Sequence, residues 1–544
     1  MTSRVTPGFL LTVGLTAAGA SLQFYSFAVI NTPQFILQEW INRSLTERGL
    51  HLFDYNPAGS SAMTLLWSFL VGSISLGGFI GCLLTRSLAE TCGRRDAILA
   101  NGVLSVFGGL CSGLAMAARA PELLLLGRFL LGVTMGLSSS LAPMYLTEIA
   151  PVSLRGAAGT AHMIVVAFGD WFSLLLSLPQ ILGNERLWPL VVAFPAAPAL
   201  LMCCILPFCP ESPRFLLISL GRRLQARKAV EFFVGKTNAS AEFDIMVKEA
   251  ARTMSVAEDN RPSLAQFLRR PELRTPLFIS LLVMLAQQFT GAAAMFAYST
   301  DMFVRAGVPL ELARLATLGC GVIYFLTTLP SPYLIERSGR RRLSLFQLSG
   351  CLLGLCLTTL FLLLQSRLGL AWASYGAIVA MILFFAVYGV GSPIPWMITS
   401  ELFAQEHRSV AVGLSTFNAW FWAFVISTVY LPFQEAVGLE FSFLPFILVL
   451  SLSIVGMALL LPETRNRSID EIVDEFRDRR RRLTTRMSIS IKKTSTTTGA
   501  SMSETKTLLD PEQRPGSVAG AERGKQATKT YGSVLPSIES SVEV

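Results

Sequence analysis

The stretch FSFLPFILVLSLSIVGMALLLP, from Phe441 to Pro462, contains no charged residue and lies between Glu440 and Glu463. A helix that crosses a bilayer needs about 20 mostly apolar residues. Similar stretches occur earlier in the chain, at 8–30, 62–84, 97–118, 122–144, 158–183, 187–209, 275–299, 311–335, 344–366, 371–397 and 409–432. The unbroken runs argue against an outer-membrane barrel, whose strands alternate with period two. The sequence therefore predicts an all-α membrane protein with twelve transmembrane helices.

The composition of the chain agrees with this prediction. Hydrophobic residues make up 52% of the 544 positions and charged residues 15%, whereas soluble domains have about 25% charged residues. A soluble enzyme and a disordered scaffold are therefore excluded. The first residues run from Arg4 directly into an apolar stretch without a small-residue cleavage site. We expect this stretch to be a spanning helix rather than a removed signal peptide.

Basic residues concentrate in alternate loops. With the N-terminus inside, the inner loops carry 21 Lys and Arg residues and the outer loops carry 7, which predicts that both termini are cytoplasmic. The net charge of +9 is thus a sign of topology, and we expect no nucleic-acid partner. The sequon Asn42-Arg43-Ser44 lies in the first outer loop and predicts glycosylation of Asn42. The nine cysteines lie in or beside apolar segments, so we expect neither disulfides nor a metal site.

Short polar motifs recur in the same order in both halves of the chain. The matching stretches are Gly93–Arg95 with Glu336–Arg341, Glu148 and Arg155 with Glu401 and Arg408, and 210–214 with 461–465. Parallel repeats of six spans, with a substrate site between them, are the layout of major facilitator transporters. We predict an N-terminal six-helix bundle (1–209), a cytoplasmic loop with short helices (210–274), a C-terminal six-helix bundle (275–462) and a largely disordered cytoplasmic tail (463–544).

Several motifs resemble those of the sugar porter family of the major facilitator superfamily, and specifically its facilitative glucose transporter branch. They are 145–151 (YLTEIAP), 154–156 (LRG), 210–215 (PESPRF), 287–291 (QQFTG), 394–396 (IPW), 401–403 (ELF) and 462–464 (PET). The resemblance covers about residues 10–475. It implies a major facilitator fold and transport of a hexose or related small organic solute by alternating access, with no cofactor. The chain also lacks a phosphate-binding Gly-rich loop and any nucleophile–base constellation, so neither a pump nor an enzyme is expected.

Charged residues at the predicted inner ends of the spans suggest a cytoplasmic latch. We expect pairs where the two halves meet, holding one state and separating in the other. The alternative is that these residues only anchor loops at the lipid surface. The predicted gate comprises Arg94, Glu148, Arg155, Glu211, Arg214, Glu336, Arg340, Glu401 and Arg408.

The predicted substrate site departs from the pattern of the family. Four positions match that pattern: His162, Gln287, Gln288 and Trp396. At five others, Met163, Ala293, Tyr324, Ala419 and Ala423 stand where the resemblance implies amides. Because a site that bonds hydroxyls needs such partners, glucose is a doubtful substrate, and a flatter, less hydroxylated solute fits better. It would contact Trp396, Tyr324, Phe289 and Phe296. The alternative is that the aromatic residues and Met163 are ordinary helix packing.

Asp170 is an acidic residue in the middle of the fifth predicted span. An intramembrane carboxylate is costly and marks a functional site by default. Arg128, on the fourth span, is the predicted partner, and we favour a structural or substrate-orienting pair over a proton site.

Beyond about residue 475 the chain is polar, with a basic run followed by a stretch rich in Ser, Thr and Gly. The sequence 504–509 (ETKTLL) resembles an acidic dileucine sorting signal, with Leu508 and Leu509 as its core. We expect a multi-pass protein of the plasma membrane, with an endosomal pool and sorting adaptors as partners of the tail. Two alternatives remain open: a sugar sensor with a transporter fold, and a carrier of a non-sugar solute such as urate.

Overall fold

The computed structural model describes residues 6–49, 61–151, 154–257, 264–403, 405–465, 467 and 471. Those residues form helices joined by turns, with no strand among them. Twelve helical segments in this part of the chain are long and apolar enough to cross a membrane, and we name them spans 1 to 12. Their bounds are Pro7–Ala28, Ala62–Thr91, Arg94–Leu114, Pro121–Ile149, Arg155–Leu176, Trp188–Phe208, Arg274–Arg305, Leu310–Thr328, Arg340–Leu368, Ala371–Glu401, Val410–Val437 and Leu439–Leu460. The predicted fold class is confirmed.

The remaining helices lie in the connections between spans. Their bounds are Gln34–Glu47, Phe215–Ser219, Arg223–Val234, Lys236–Ala257, Leu264–Arg269 and Ser331–Ser338. The sequon therefore lies in a helix rather than in an irregular loop. Asn42 is half-buried and Ser44 is 4% exposed, because this amphipathic helix packs one face on the bundle. Glycosylation of Asn42 stays a prediction.

Span 7 is broken near its middle, into the helices Arg274–Gln288 and Ala292–Arg305. Gly291 has φ +81°, a left-handed conformation that side-chain-bearing residues rarely adopt. The hydroxyl of Thr290 donates to the carbonyl of Gln287 at 2.7 Å, which replaces part of the interrupted helix bonding. Backbone breaks at membrane depth are tolerated where they are buried in protein or line a cavity. Span 10 is also divided into two helices, between Gly391 and Ile394.

Glycines allow spans 2 and 4 to approach each other closely. A Cβ atom on Gly132 would lie 2.1 Å from the carbonyl oxygen of Ile74, and one on Gly136 would lie 2.1 Å from that of Gly78. On the facing helix, Gly77 and Gly81 meet span 4 in the same manner, at 2.1 and 2.2 Å from carbonyl oxygens. Small residues four apart let helix backbones pack closely in lipid, where burial of apolar surface gives little driving force.

The two halves, spans 1–6 and 7–12, meet mainly through spans 2 and 11 and through spans 5 and 8. Phe79 contacts Phe417 with ring centroids 4.3 Å apart, and Trp171 stacks on Phe325 at 5.6 Å. We call the end of the bundle that carries Arg94, Arg155 and Arg340 the basic end, and the other the opposite end.

At the opposite end, buried polar side chains join the halves. The amide nitrogen of Asn31 donates to the carbonyl of Phe296 at 2.7 Å and to the hydroxyl of Ser299 at 2.8 Å. Its amide oxygen accepts from the backbone N–H of Thr300 at 3.1 Å. Asn31 is fully buried. One asparagine thus satisfies three groups of span 7, and the opposite end is held closed by bonds that cross the interface.

We expect Gly136→Ala to lower the melting temperature of the protein in detergent. The added methyl has no space against the carbonyl of Gly78, and such overpacking costs about 1–3 kcal/mol. Gly14→Ala is the matched control, because a Cβ at Gly14 in span 1 meets no atom within 4 Å. Equal melting temperatures for wild type and Gly136→Ala would contradict the close packing of spans 2 and 4.

We expect Asn31→Ala to loosen the opposite end, because it leaves buried polar groups of span 7 without partners, at about 1–3 kcal/mol. Hydrogen–deuterium exchange of peptides covering 292–305 is expected to become faster. Gln38→Ala is the control, because Gln38 is a half-buried amide in the neighbouring helix. Unchanged exchange in 292–305 would show that Asn31 does not hold the halves together.

Candidate functional site

A cavity lies between the two halves near the middle of the bundle. It encloses about 960 Å³ of space between protein atoms, part of it open to solvent. The lining is largely apolar and aromatic, with a few polar groups, which is typical of small-molecule sites. The first half contributes Phe24, Phe27, Met135, Ser139, His162, Met163, Val166 and Asp170. The second half contributes Gln287, Gln288, Ala292, Ala293, Phe296, Tyr324, Tyr388, Ser392, Trp396, Ala419, Trp420 and Ala423.

The residues predicted to bind substrate lie together in this cavity. All seven line it: His162, Met163, Gln287, Gln288, Phe296, Tyr324 and Trp396. Three alanines at positions where the resemblance implies amides, namely Ala293, Ala419 and Ala423, line it as well. Their roles toward a solute stay predictions.

Phe289 is an exception to the predicted set. It does not line the cavity but packs against Trp422 and Phe446, with ring centroids 5.3 and 6.0 Å away. The physical reason is the break in span 7, which begins at this residue and directs its ring toward spans 11 and 12. The prediction that Phe289 contacts the solute is wrong for this structure.

Two polar side chains of the lining, those of Gln287 and His162, are bonded to other spans. The side-chain nitrogen of Gln287 donates to the hydroxyl of Tyr388 at 3.1 Å, and its oxygen accepts from Gln347 at 3.0 Å. Nδ1 of His162 shares a hydrogen bond of 2.8 Å with the hydroxyl of Ser21. These bonds fix the orientation of both side chains. Gln288, by contrast, is half-buried and makes no side-chain hydrogen bond with the described residues, so its amide is available to a solute.

Aromatic rings form much of the wall contributed by the second half. Phe296 contacts Tyr324 edge-on at 5.1 Å, and Tyr324 lies 5.7 Å from Tyr388. These rings present flat apolar faces, and those of Tyr324 and Tyr388 also carry a hydroxyl at the edge. Sequence reasoning missed Tyr388, although a signal for it exists. Tyr388, Ser392 and Trp396 are spaced four residues apart, which favours one helix face, and all three line the cavity.

The predicted pair between Asp170 and Arg128 is wrong. The Arg128 guanidinium donates instead to the carbonyl oxygens of Leu70, at 3.1 Å, and Ser26, at 3.3 Å. It therefore bonds to spans 1 and 2, whose backbone carbonyls lie nearer to it than the carboxylate does. Asp170 lines the cavity at 5% exposure, and its Oδ1 atom has no hydrogen-bond partner.

At the basic end, one polar network occurs twice. In the first half, Arg94 forms an ion pair with Glu148 at 3.0 Å, and Glu211 accepts from the backbone N–H groups of Arg94 and Arg95 at 3.1 and 2.9 Å. The hydroxyl of Ser212 donates to Glu148. Burial raises the pKa of the Glu211 carboxyl above its ordinary value, and the N–H groups of Arg95 and Ser212 oppose that rise. The network joins the start of span 3 to the end of span 4.

The second half repeats these contacts. Arg340 pairs with Glu401 at 3.3 Å, and Glu463 accepts from the N–H groups of Arg340 and Arg341 at 2.8 and 3.2 Å. The hydroxyl of Thr464 donates to Glu401 at 2.5 Å. In both halves a carboxylate binds the free N–H groups at a helix N-terminus, where negative charge is favoured.

The prediction that these charges pair across the two halves is therefore wrong for the two ion pairs that form. Arg94–Glu148 and Arg340–Glu401 each lie within one half, because each joins the start of one span to the end of the next. The other predicted gate residues also lie near the basic end. Arg155 begins span 5 and lines a small cavity with Glu148, Arg214 precedes the helix Phe215–Ser219, Arg408 precedes span 11, and Glu336 is exposed in the helix Ser331–Ser338.

The dileucine Leu508–Leu509 and the basic run of the tail lie outside the described residues. All nine cysteines are unpaired, and within the described ranges no group of His, Cys, Asp and Glu side chains could hold a metal ion.

Comparisons with known proteins agree with the fold and extend over most of the chain. A family model described as sugar (and other) transporter matches residues 12–476. Solute carrier family 2, facilitated glucose transporter member 4 from Mus musculus is 39% identical over 477 residues, which cover 87% of this chain and 92% of that protein. Member 1 of the same carrier family, from Gallus gallus, is 35% identical over 478 residues, covering 87% of this chain and 94% of that protein.

Among solved structures, the partially occluded inward-open conformation of the xylose transporter XylE from E. coli is similar, with a TM-score of 0.67 and 22% sequence identity. The matched region covers 85% of this chain and 100% of the XylE chain. This likeness confirms the major facilitator fold with two six-helix bundles. Members of the matched family are carriers, not enzymes. The chain belongs to the sugar (and other) transporter family.

Proposed function

We propose that the protein is a facilitative carrier that moves a hexose, or a closely related small solute, by alternating access around the central cavity. The observation that carries this proposal is the cavity itself, which lies between the halves and is lined by Gln287, Gln288, His162 and Trp396. The matched family and the facilitated glucose transporters among its relatives support it. A site near the middle of the bundle, shared by both halves, is what rocking of one half against the other requires.

The described conformation fits one side of such a cycle. Bonds across the halves lie at the opposite end, from Asn31 to span 7 and from Thr64 to Glu435 at 2.8 Å. The ion pairs at the basic end stay within their own halves. We propose that the basic end is cytoplasmic, because Lys and Arg accumulate there, and that this conformation faces the cytoplasm. The charged residues of both networks would then meet across the halves in the outward-facing state.

The remaining assignments follow the same topology. We place the bundles at 1–209 and 275–462, the cytoplasmic loop at 210–274 and the cytoplasmic tail at 463–544. Both termini would be cytoplasmic and Asn42 would face the outside of the plasma membrane. Leu508 and Leu509 would offer a sorting adaptor a binding motif.

The lining offers sugar hydroxyls fewer hydrogen-bond partners than an amide-rich sugar site does. Ala293, Ala419 and Ala423 offer no side-chain donor, and Gln287 is already bonded to Gln347 and Tyr388. A sugar hydroxyl that enters without a partner loses its hydrogen bonds to water. We therefore propose weak binding of glucose, and tighter binding of solutes that present an apolar face to the aromatic wall.

Flux measurements in proteoliposomes test the carrier proposal. Labelled hexoses, polyols and urate would be offered to the purified protein. Saturable flux of a hexose supports the proposal. Saturable flux of urate alone would make the protein a carrier of a non-sugar solute, and hexose binding without flux would make it a sensor.

We expect Gln288→Ala to lower hexose flux, as kcat/KM, by about 2- to 10-fold, which corresponds to the loss of one neutral hydrogen bond of about 0.5–1.5 kcal/mol. Counterflow of labelled hexose measures it. Gln38→Ala removes an amide outside the cavity and is expected to transport like wild type. Equal flux in wild type and both variants would show that the Gln288 amide does not bind the transported hexose.

We expect Ala423→Asn to lower the KM for glucose, because it adds an amide to the wall of the cavity. Ala423→Leu is the matched control, since the leucine side chain has the same number and branching of heavy atoms as asparagine but no hydrogen-bonding group. A KM that changes in the same direction in both variants would show that volume, rather than hydrogen bonding, controls glucose binding at this position.

A further inference from the structure

Asp170 is an acidic side chain in the wall of the central cavity, and it forms no ion pair with the described residues. It is 5% exposed, and its Oδ1 atom has no hydrogen-bond partner. It lies within the continuous helix of span 5, Arg155–Leu176, so it caps no helix end. Its neighbours one turn away are Val166, Ala167, Ser173 and Leu174, and none of them is basic. The helix itself therefore gives the carboxylate no partner.

The rest of the cavity does not supply a cation either. Among the lining residues there is no lysine or arginine, and the one histidine, His162, is bonded to Ser21. Arg128, the nearest arginine by sequence reasoning, uses its guanidinium on the carbonyls of Leu70 and Ser26. Buried carboxylates are rare unless they are paired, because an unpaired buried charge is strongly unfavourable. Among the residues that the structure describes, no cation therefore compensates a negative charge on Asp170.

The groups that share the cavity with Asp170 indicate what that partner is. Aromatic side chains from both halves line the same space, among them Phe24 and Phe27 of the first half and Phe296, Tyr324 and Tyr388 of the second. A carboxylate beside aromatic faces is a favourable environment for an organic ammonium group, which forms charge-assisted hydrogen bonds with the one and cation–π contacts with the other. A neutral hydroxyl donates a hydrogen bond to a carboxylate but leaves its charge uncompensated.

We propose that Asp170 selects a sugar-like solute that carries a primary ammonium group, such as a hexosamine. This inference rests on the proposed carrier function and names its substrate class. The ammonium group binds the Asp170 carboxylate, while Gln288 and Ser392 face the hydroxyls of the same solute in the same cavity. The amides that the lining lacks at Ala293, Ala419 and Ala423 are then offset by one charged contact, which neutral hexoses cannot make.

The test compares D-glucosamine, D-glucose and N-acetyl-D-glucosamine in proteoliposomes of the full chain. The acetylated sugar is neutral at the position where glucosamine carries its charge. We expect wild type to prefer glucosamine over both neutral sugars. Asp170→Asn is expected to reduce that preference by about tenfold or more, as a ratio of kcat/KM values, because one charge-assisted hydrogen bond is lost. Asp170→Glu is expected to retain part of it.

Asp301→Asn is the matched control for removing a carboxylate within a span. Asp301 is 3% exposed, does not line the cavity and is paired with Arg305 at 2.7 Å. We expect this variant to keep the wild-type ratio of glucosamine to glucose transport. Quenching of tryptophan fluorescence by each sugar in detergent gives a second readout, since Trp396 and Trp420 line the cavity.

The outcomes separate the two proposals. Glucosamine binding that depends on Asp170, without flux of any sugar, would overturn the carrier function and leave the assignment of Asp170 intact. If wild type and Asp170→Asn have the same ratio of glucosamine to glucose transport, the assignment of Asp170 is overturned. Hexose flux in the same experiment would leave the carrier function intact. Glucose uptake driven by an imposed pH gradient in wild type but not in Asp170→Asn would also overturn it, because the partner of the carboxylate would then be a proton.

Discussion

A polar side chain within an apolar helix bundle must find its partners in the protein, because lipid offers none. Arg128 bonds to two backbone carbonyls, Gln287 is fixed between Gln347 and Tyr388, and Asn31 bonds across the halves. Each of these bonds connects different helices, so satisfying polar groups also fixes the arrangement of the spans. The cavity is lined by two polar side chains, those of Asp170 and Gln288, that make no such bond with the described residues.

The duplicated networks connect the spans of each half at the basic end through the same kinds of contact. In each half a carboxylate, Glu211 or Glu463, binds the N-terminus of one span, and an arginine at that N-terminus pairs with a glutamate at the end of the next span. Each half is therefore braced internally at this end. The bonds between the halves lie at the opposite end, around Asn31. Rigid halves joined at one end are the arrangement in which small rotations open or close a central site.

Much of the fold and of the cavity could be predicted from the sequence. The twelve spans follow from the length of apolar runs, and the repeated motifs indicated two related halves. Residues such as Gln288 and Trp396 were placed by their resemblance to family motifs, and they do line one cavity. Phe289 was misplaced because the backbone break at Gly291 reorients the residues beside it. Tyr388 lies outside every stretch that resembles a family motif, so the resemblance does not point to it.

The sequence by itself determined which segments enter the membrane, how the halves repeat and which residue types are available at mid-membrane depth, since these depend on composition and order along one chain. Only the tertiary structure decided which polar groups meet. Helical spacing fixes the face on which Arg128 or Asp170 lies, but the rotation and distance between helices depend on side-chain packing and on close contacts such as those at Gly132 and Gly136. For that reason Arg128 binds carbonyls of spans 1 and 2, and Asp170 is left to the cavity.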